Sequence, residues 1–426
     1  MNKNSPLTRR DFLKTSAALS AVVAAPSSGS FAAGSDKVRI ALIGCGDRGT
    51  GAANDCMEGT TGVDLVAVAD LFSDRVEKCL EEVRKKYTDR VKVTEDTTFL
   101  GFEAYRQIMA MKDVDVVMLA TPPAFRPTMV AAAVEAGKHL FMEKPGAVDP
   151  VGVRSLMKSA GLAAQKQLSI VIGTQQRYQG QYLEVMKRIH GGEMGRIVGG
   201  QAYWNWGFTD WHYQKRQPGW SDLEWQIRCW PYFTWLSGDH IVEQHLHNMD
   251  ILNWAIGSHP VSCIGLGGRQ ARTSPDYGNI YDHFTVEFEY AGGVRVMSMS
   301  SQIKGSVVRI GERVVGSKGA SWTTRQEGYV QGEKPYKYEG KVWSGMVEEH
   351  AALIKSVREG KPINECARLA ESTMTVILGR LAAYTGLQVR WVWVMANSQL
   401  DLMPKKLEFG PMPVAPVAIP GQEELT

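Results

Sequence analysis

Between residues 37 and about 145 the apolar positions gather in short continuous runs, at 38–43, 63–69, 114–120 and 139–142. The stretches between them, near 47–58, 73–87, 101–111 and 126–136, carry the three-and-four spacing of helices. Strands that are apolar on both faces and alternate with helices predict an α/β fold, a doubly wound parallel sheet. Thr121-Pro122-Pro123 closes the third run, because a proline cannot donate to the ladder. A ligand of such a sheet belongs at the carboxyl ends of its strands.

After a helix near 149–166 and one more apolar run at 168–173, the strands become longer and alternate polar with apolar residues, at 197–206, 261–267, 284–290 and 294–299. The last two flank Ala291-Gly292-Gly293, a hairpin turn. This pattern predicts a C-terminal α+β domain with an open, mostly antiparallel sheet, helices on one face and the other face free for a second copy. Two more helices, 345–359 and 365–385, are split by Gly360-Lys361-Pro362. Prolines at 404, 411, 413, 416 and 420 make the end an extended arm. The expected divisions are therefore 37–160, 161–395 and an arm at 396–426.

Ahead of the first strand, Thr8-Arg9-Arg10-Asp11-Phe12-Leu13-Lys14 precedes an apolar stretch at 15–25 and small residues to Ala33. Residues 1–33 read as a twin-arginine leader, which predicts export to the periplasm or beyond. Lys3, Arg9, Arg10 and Lys14 against Asp11 account for the whole net charge of +3, so nothing basic remains to bind nucleic acid. The leader's apolar stretch is too short to span a bilayer and no longer one follows, so no membrane partner is expected. The six cysteines are scattered without metal-ligand spacing; they read as buried free thiols or, at most, one late disulfide.

The first strand runs into Gly44-Cys45-Gly46-Asp47-Arg48-Gly49, and Asp70 closes the second. Gly44 permits the tight turn, Gly46 lets a pyrophosphate approach backbone amides, and Gly49 lets the helix pack on the strand. A carboxylate at Asp70 holds ribose hydroxyls and repels a 2′-phosphate, which favours NAD over NADP. The bland alternative is a glycine turn of an unrelated α/β fold, with Asp70 as a helix cap. Export of a folded domain to where free dinucleotide is scarce predicts a tightly held cofactor, returned to its starting oxidation state.

Glu143-Lys144-Pro145 follows the fourth strand, where a lysine is either a surface residue or one that reaches a reacting carbon. Residues 237–254 read as one helix with His240, Glu243, His247 and Asp250 on a single face. That face is an active-site wall, a divalent-metal site of His240, Glu243 and His247, or a solvated polar face. His245 lies off it and reads as structural. A neutral imidazole near pH 7 can take a hydroxyl proton while a nearby ammonium eases alkoxide formation. Seven tryptophans fall between 204 and 235, interleaved with His212, Arg216, Asp222 and Arg228. They either line a saccharide pocket or pack a core or interface. Trp204 and Trp206 share a strand face, and Arg177 and Tyr178 should border the cleft.

Taken together, the glycine turn, Asp70, Thr121-Pro122, Glu143-Lys144-Pro145 and the Glu243/His247/Asp250 segment resemble the glucose-fructose oxidoreductase, inositol dehydrogenase and MocA (Gfo/Idh/MocA) family over residues 37 to about 392. The resemblance implies an N-terminal Rossmann domain holding NAD through Gly44, Gly46, Asp47, Arg48, Gly49, Asp70, Thr121, Pro122, Glu143 and Lys144. It implies Lys144 and His247 as the proton-handling pair, with Glu243 orienting the histidine. Arg177, Tyr178, Trp204, Trp206, His240 and Asp250 are the expected substrate contacts, with no metal. The expected activity is oxidation of a carbohydrate hydroxyl, on a sugar, polyol or glycoside and with ring carbon 3 as one candidate position, by a homodimer or homotetramer. The alternatives are redox-neutral glycoside cleavage using NAD, and a non-catalytic sugar-binding protein.

Overall fold

A computed structural model describes residues 37–207 and 210–426; the leader at 1–33 lies outside the described residues. Six strands, β1 (Val38–Ile43), β2 (Val63–Asp70), β3 (Thr98–Leu100), β4 (Val116–Leu119), β5 (His139–Glu143) and β6 (Ile170–Gly173), form a sheet in the order β3-β2-β1-β4-β5-β6. Every pairing in it is parallel. The period-2 alternation of β1 shows why helices coat both faces. Val38, Ile40 and Leu42 pack with Ala53, Val76 and Leu80 on one side, whereas Ala41 and Ile43 meet Ile108, Val130 and Leu156 on the other.

Helices Asp47–Glu58 and Ser73–Tyr87 keep the bounds their spacing predicts. The short edge strand β3 carries no apolar run and was not foreseen. The sheet also continues past residue 160, the expected boundary. Helix Pro150–Gln165 is the crossover that returns the chain to β6, whose Ile170 pairs with Leu140.

The second sheet has nine strands: β7 (Ile197–Asn205), β8 (Pro260–Gly268), β9 (His283–Tyr290), β10 (Arg295–Ser301), β11 (Arg309–Gly316), β12 (Gly319–Thr323), β13 (Gly328–Gly332), β14 (Tyr336–Lys337) and β15 (Val389–Arg390). Their order is β14-β13-β12-β11-β7-β10-β9-β8-β15, antiparallel throughout except for the parallel pair β7–β10. Gly292 and Gly293 supply the left-handed turn between β9 and β10, at φ 76° and 80°. One face is covered by the buried helix Cys366–Thr385. On β8 the outward positions Val261, Ile264 and Leu266 stay exposed.

The segment 237–254 is not one helix. It divides into His240–Glu243 and Leu246–Ile256, with Gly238 and Asp239 at φ 77° and 75° ahead of them. A left-handed aspartate costs about 1–3 kcal/mol. Here its carboxylate is held by the His240 and Tyr281 amides and the Tyr384 hydroxyl. At the break both Gln244 N–H and His245 N–H donate to the His240 carbonyl, so a widened turn resets the register of the polar positions.

The tail at 396–426 is extended and tied to the body. Asp149 accepts from Leu402 N–H at 2.9 Å, Asp222 accepts from Met412 N–H at 3.0 Å, and the Tyr281 hydroxyl donates to the Ala418 carbonyl at 2.9 Å. Phe409 lies against Phe72 and Phe102, with ring centroids 6.1 and 5.5 Å apart. All six cysteines are free and buried. Among the described residues no helix is long and apolar enough to cross a membrane.

Candidate active site

A cavity of about 830 Å³ opens along the carboxyl ends of β1, β2, β4 and β5 and is closed by residues from β7 and the broken helix. At its dinucleotide end Gly44 has φ 94°, and a Cβ there would stand 2.7 Å from the Ala120 carbonyl carbon. A Cβ on Gly49 would overlap the Gly44 carbonyl oxygen. At Gly46 it would meet nothing nearer than the Arg75 guanidinium at 3.8 Å, so this amide edge is open to a diphosphate with a cation beside it. The Asp70 carboxylate accepts from Cys45 N–H at 2.6 Å and Phe72 N–H at 2.9 Å, which ties the ribose end to the glycine turn. Burial raises its pKa and those two amides oppose the rise. These features fit an adenine dinucleotide without a 2′-phosphate.

Thr121, Pro122, Glu143, Lys144, Asp47 and Arg48 all face the cavity. Arg48 bridges Glu143 at 2.7 Å and Asp55 at 2.8 Å, while Asp47, at the start of its helix, pairs with Lys78. Two further contributors are Arg126 and Glu349, which the sequence pattern did not mark. Arg126 is buried and donates to the Thr121 and Pro145 carbonyls, both at 2.5 Å, so it ties together the two loops that carry Thr121-Pro122 and Lys144-Pro145. Burial pushes its pKa down to about 10. Glu349 comes from helix Met346–Glu359, roughly 200 residues further on. Burial, aided by Glu143, raises its pKa well above the carboxylate range.

At the other end Lys144 Nζ donates to the Glu243 carbonyl at 2.6 Å and to its carboxylate at 2.7 Å. The family resemblance implies that Glu243 orients His247, but in the structure its carboxylate accepts from Lys144. The widened turn at Gln244–His245 separates the two residues, so they do not occupy successive turns of one face. His247 stacks on Trp204 with ring centroids 5.7 Å apart and 19° between planes, and its Nδ1 has no partner among the described residues. Burial, with Lys144 and Arg325 nearby, holds its pKa well below the ordinary imidazole value, so it is neutral at pH 7.

Trp204 and Trp206 line the cavity, edge to face at 6.4 Å. Trp211 and Trp230 join them, whereas Trp225 packs on Phe233 in the core. His240, Asp250, Arg177 and Tyr178, the other expected contacts, stand outside the cavity wall. Arg177 and Arg368 clamp Asp250 at 2.6 and 3.1 Å, and Ser372 donates to it at 2.7 Å. Burial disfavours the charge on Asp250, but the two guanidinium groups hold its pKa at about 2. His240 is spent on the Tyr281 carbonyl and the Ser300 hydroxyl. His245 is buried between Ser298 and Asn248. Among the described residues no cluster of side chains could hold a metal ion.

A glycine turn at strand ends, a carboxylate on the second strand and a Lys–His pair facing one cleft define an NAD-binding oxidoreductase. Residues 38–173 match the sequence profile of the oxidoreductase family with an NAD-binding Rossmann fold, and residues 6–26 match that of the twin-arginine translocation signal. Over residues 38–173 the chain therefore carries the NAD-binding Rossmann domain of the Gfo/Idh/MocA oxidoreductase family. It is 25% identical over 293 residues to the NAD-dependent scyllo-inositol 2-dehydrogenase of Bacillus subtilis, covering 67% of this chain and 73% of that one. It is 26% identical over 215 residues to the α-N-acetylgalactosaminidase of Shewanella oneidensis, covering 46% of this chain and 45% of that one, so it spans under half of that relative. The structure of the aldose-aldose oxidoreductase of Caulobacter crescentus, solved with glycerol, shares the fold at a TM-score of 0.64 with 20% identity, covering 83% of this chain and 99% of that one.

Proposed function

We propose that this protein oxidises a secondary hydroxyl of a carbohydrate in the periplasm, with NAD retained in the site and Lys144 and His247 handling the proton. The observation that carries the proposal is the placing of these two side chains in one cavity wall beside the dinucleotide end, with the lysine fixed by Glu243 and the imidazole Nδ1 left unpartnered. NAD supplies the hydride acceptor when bound. A neutral His247 takes the hydroxyl proton, and the Lys144 ammonium stabilises the oxygen as negative charge builds there. Glu243 holds that ammonium through two acceptors and is therefore its positioning residue. Trp204 and Trp206 present ring faces and edges suited to the C–H faces of a sugar. Gly44, Gly46, Gly49, Asp70, Arg48 and Glu143 hold the cofactor in this account. The exposed β8 positions Val261, Ile264 and Leu266 are read as the contact with a second copy in a homodimer or homotetramer.

A second reading is favoured by the glycosidase relative: cleavage of a glycoside with no net change in the cofactor. Both use the same proton-handling pair. The test is a panel of sugars, polyols and aryl glycosides incubated with the purified protein and scored for reduced NAD and for free aglycone. Oxidation predicts reduced NAD with the glycoside bond intact, and the second reading predicts aglycone alone. Lys144→Met and His247→Gln should abolish either signal, and full turnover in both variants refutes the assignment.

A further inference from the structure

Two buried donors on one side of the cavity lack acceptors, Arg325 Nε–H and Trp204 Nε1–H, and His247 Nδ1 beside them has no partner either. Arg325 stands in the turn between β12 and β13 and lines the same cavity, with its guanidinium carbon 5.2 Å from the Trp204 ring centroid. The same Trp204 ring stacks on His247, with centroids 5.7 Å apart, so guanidinium and imidazole both adjoin one indole. No ion pair is made by Arg325 among the described residues. Glu312, whose field reaches Arg325, makes no ion pair with it, and burial pushes its pKa up to about 8. Asn248 donates to Glu312 Oε1 at 2.5 Å, while Glu312 Oε2 has no partner among the described residues. A guanidinium is never an acceptor and stays charged, and an indole N–H only donates. A half-desolvated cation with an unmet N–H is costly unless a ligand completes it. A group that completes this corner offers acceptors within reach of the ring that stacks on His247, and a negative charge on it would offset the guanidinium.

We propose that Arg325 selects a sugar acid: the substrate carries a carboxylate, which binds the Arg325 guanidinium and the Trp204 N–H while a hydroxyl of the same ring meets His247 and Lys144. A neutral sugar hydroxyl can accept from either donor but brings no charge to the guanidinium, and the charge-assisted hydrogen bonds of a carboxylate are worth about 10- to 100-fold more in affinity. This inference rests on the carbohydrate reading above and narrows it to uronates and their glycosides.

The test pairs the methyl glycosides of glucuronate, galacturonate and mannuronate with those of glucose, galactose and mannose. Binding to the NAD-loaded protein is measured by calorimetry, and turnover by reduced NAD. The expected result is that at least one uronate binds about 10- to 100-fold more tightly than its neutral parent and that Arg325→Gln collapses the ratio towards one, with Arg325→Lys in between. Equal binding of every pair in the wild type overturns the proposal, as does a uronate preference that survives in Arg325→Gln. The two readings fail separately. Turnover of neutral glycosides with no uronate preference overturns the sugar-acid assignment and leaves the oxidoreductase reading standing. Arg325-dependent uronate binding with neither reduced NAD nor aglycone supports the assignment and overturns the catalytic one.

Discussion

Replacing Lys144 by Met should do two separable things. The side chains of Lys144 and Glu243 are only 11% and 5% exposed, 2.7 Å apart, so removing the ammonium leaves a buried carboxylate without its counter-charge. Breaking a buried pair from one side costs about 3–5 kcal/mol, whereas replacing both partners by apolar side chains is close to neutral. For the roughly 390 residues of 38–426, an unfolding entropy of about 2.1 cal/mol/K per residue converts that cost to a fall of about 4–6 °C in Tm. Adding Glu243→Leu to Lys144→Met should recover at least half of the loss, because no charge is then stranded. Activity should behave differently. Loss of the ammonium should lower kcat by about 10²-fold or more, and the second substitution should recover none of it. Scanning calorimetry of the wild type, both single variants and the double variant, with turnover on the same samples, gives the full cycle. A Lys144→Met protein as stable as the wild type, or a double variant whose loss is the sum of the single losses, would refute the pairing.

Asp250 offers a pH test. Its folded pKa of about 2 lies below the unfolded value of 3.8, so the unfolded chain binds more protons between these limits. The pair then contributes about 2 kcal/mol that is present above about pH 4 and lost as pH falls towards 2. Acid unfolding of Asp250→Asn should converge with the wild type near pH 2 and fall below it at pH 7; a constant gap across that range contradicts the clamp. Because burial holds His247 well below the ordinary imidazole value, kcat/KM should stay flat as pH drops from 8 through 6.5, and an acidic limb centred near 6.5 would show a solvated histidine. Phe409 packs on Phe72 and Phe102, which line the adenosine end of the cavity. Phe409→Ala should speed NAD release severalfold in a fluorescence displacement assay, and an unchanged rate means that the tail does not retain cofactor. Gly49→Ala should abolish NAD binding, since the added methyl overlaps the Gly44 carbonyl; retained dinucleotide in that variant contradicts the glycine-turn geometry.

The first sheet was legible because its strands are buried on both faces and so appear as unbroken apolar runs between helices whose caps lie near the expected residues. The short edge strand β3 and strands β11 to β14 were not legible. Gly311, Gly316, Gly319, Gly328 and Gly332 break their alternation, and backbone pairing defines them instead, for β11 with β7, whose residues lie roughly 100 positions earlier. The cofactor residues followed from local motifs. Glu243 and His247 were found by spacing, but their relation was not, because the register depends on a left-handed Asp239 held by Tyr281 and Tyr384, both far along the chain. The same cause moved His240 and Asp250 out of the cavity. Arg126, Arg325 and Glu349 carry no local signal at all; only the folded chain brings them to the cleft.

The central claim is that Lys144 and His247 act on a carbohydrate hydroxyl at a retained NAD. Its most direct test is the mass and absorbance of the dinucleotide released from purified protein before and after incubation with the glycoside panel, in wild type and His247→Gln. The account predicts that NAD is present as purified and becomes reduced with at least one carbohydrate in the wild type only. Protein that carries no dinucleotide, or that neither reduces it nor releases aglycone from any member of the panel, would contradict it.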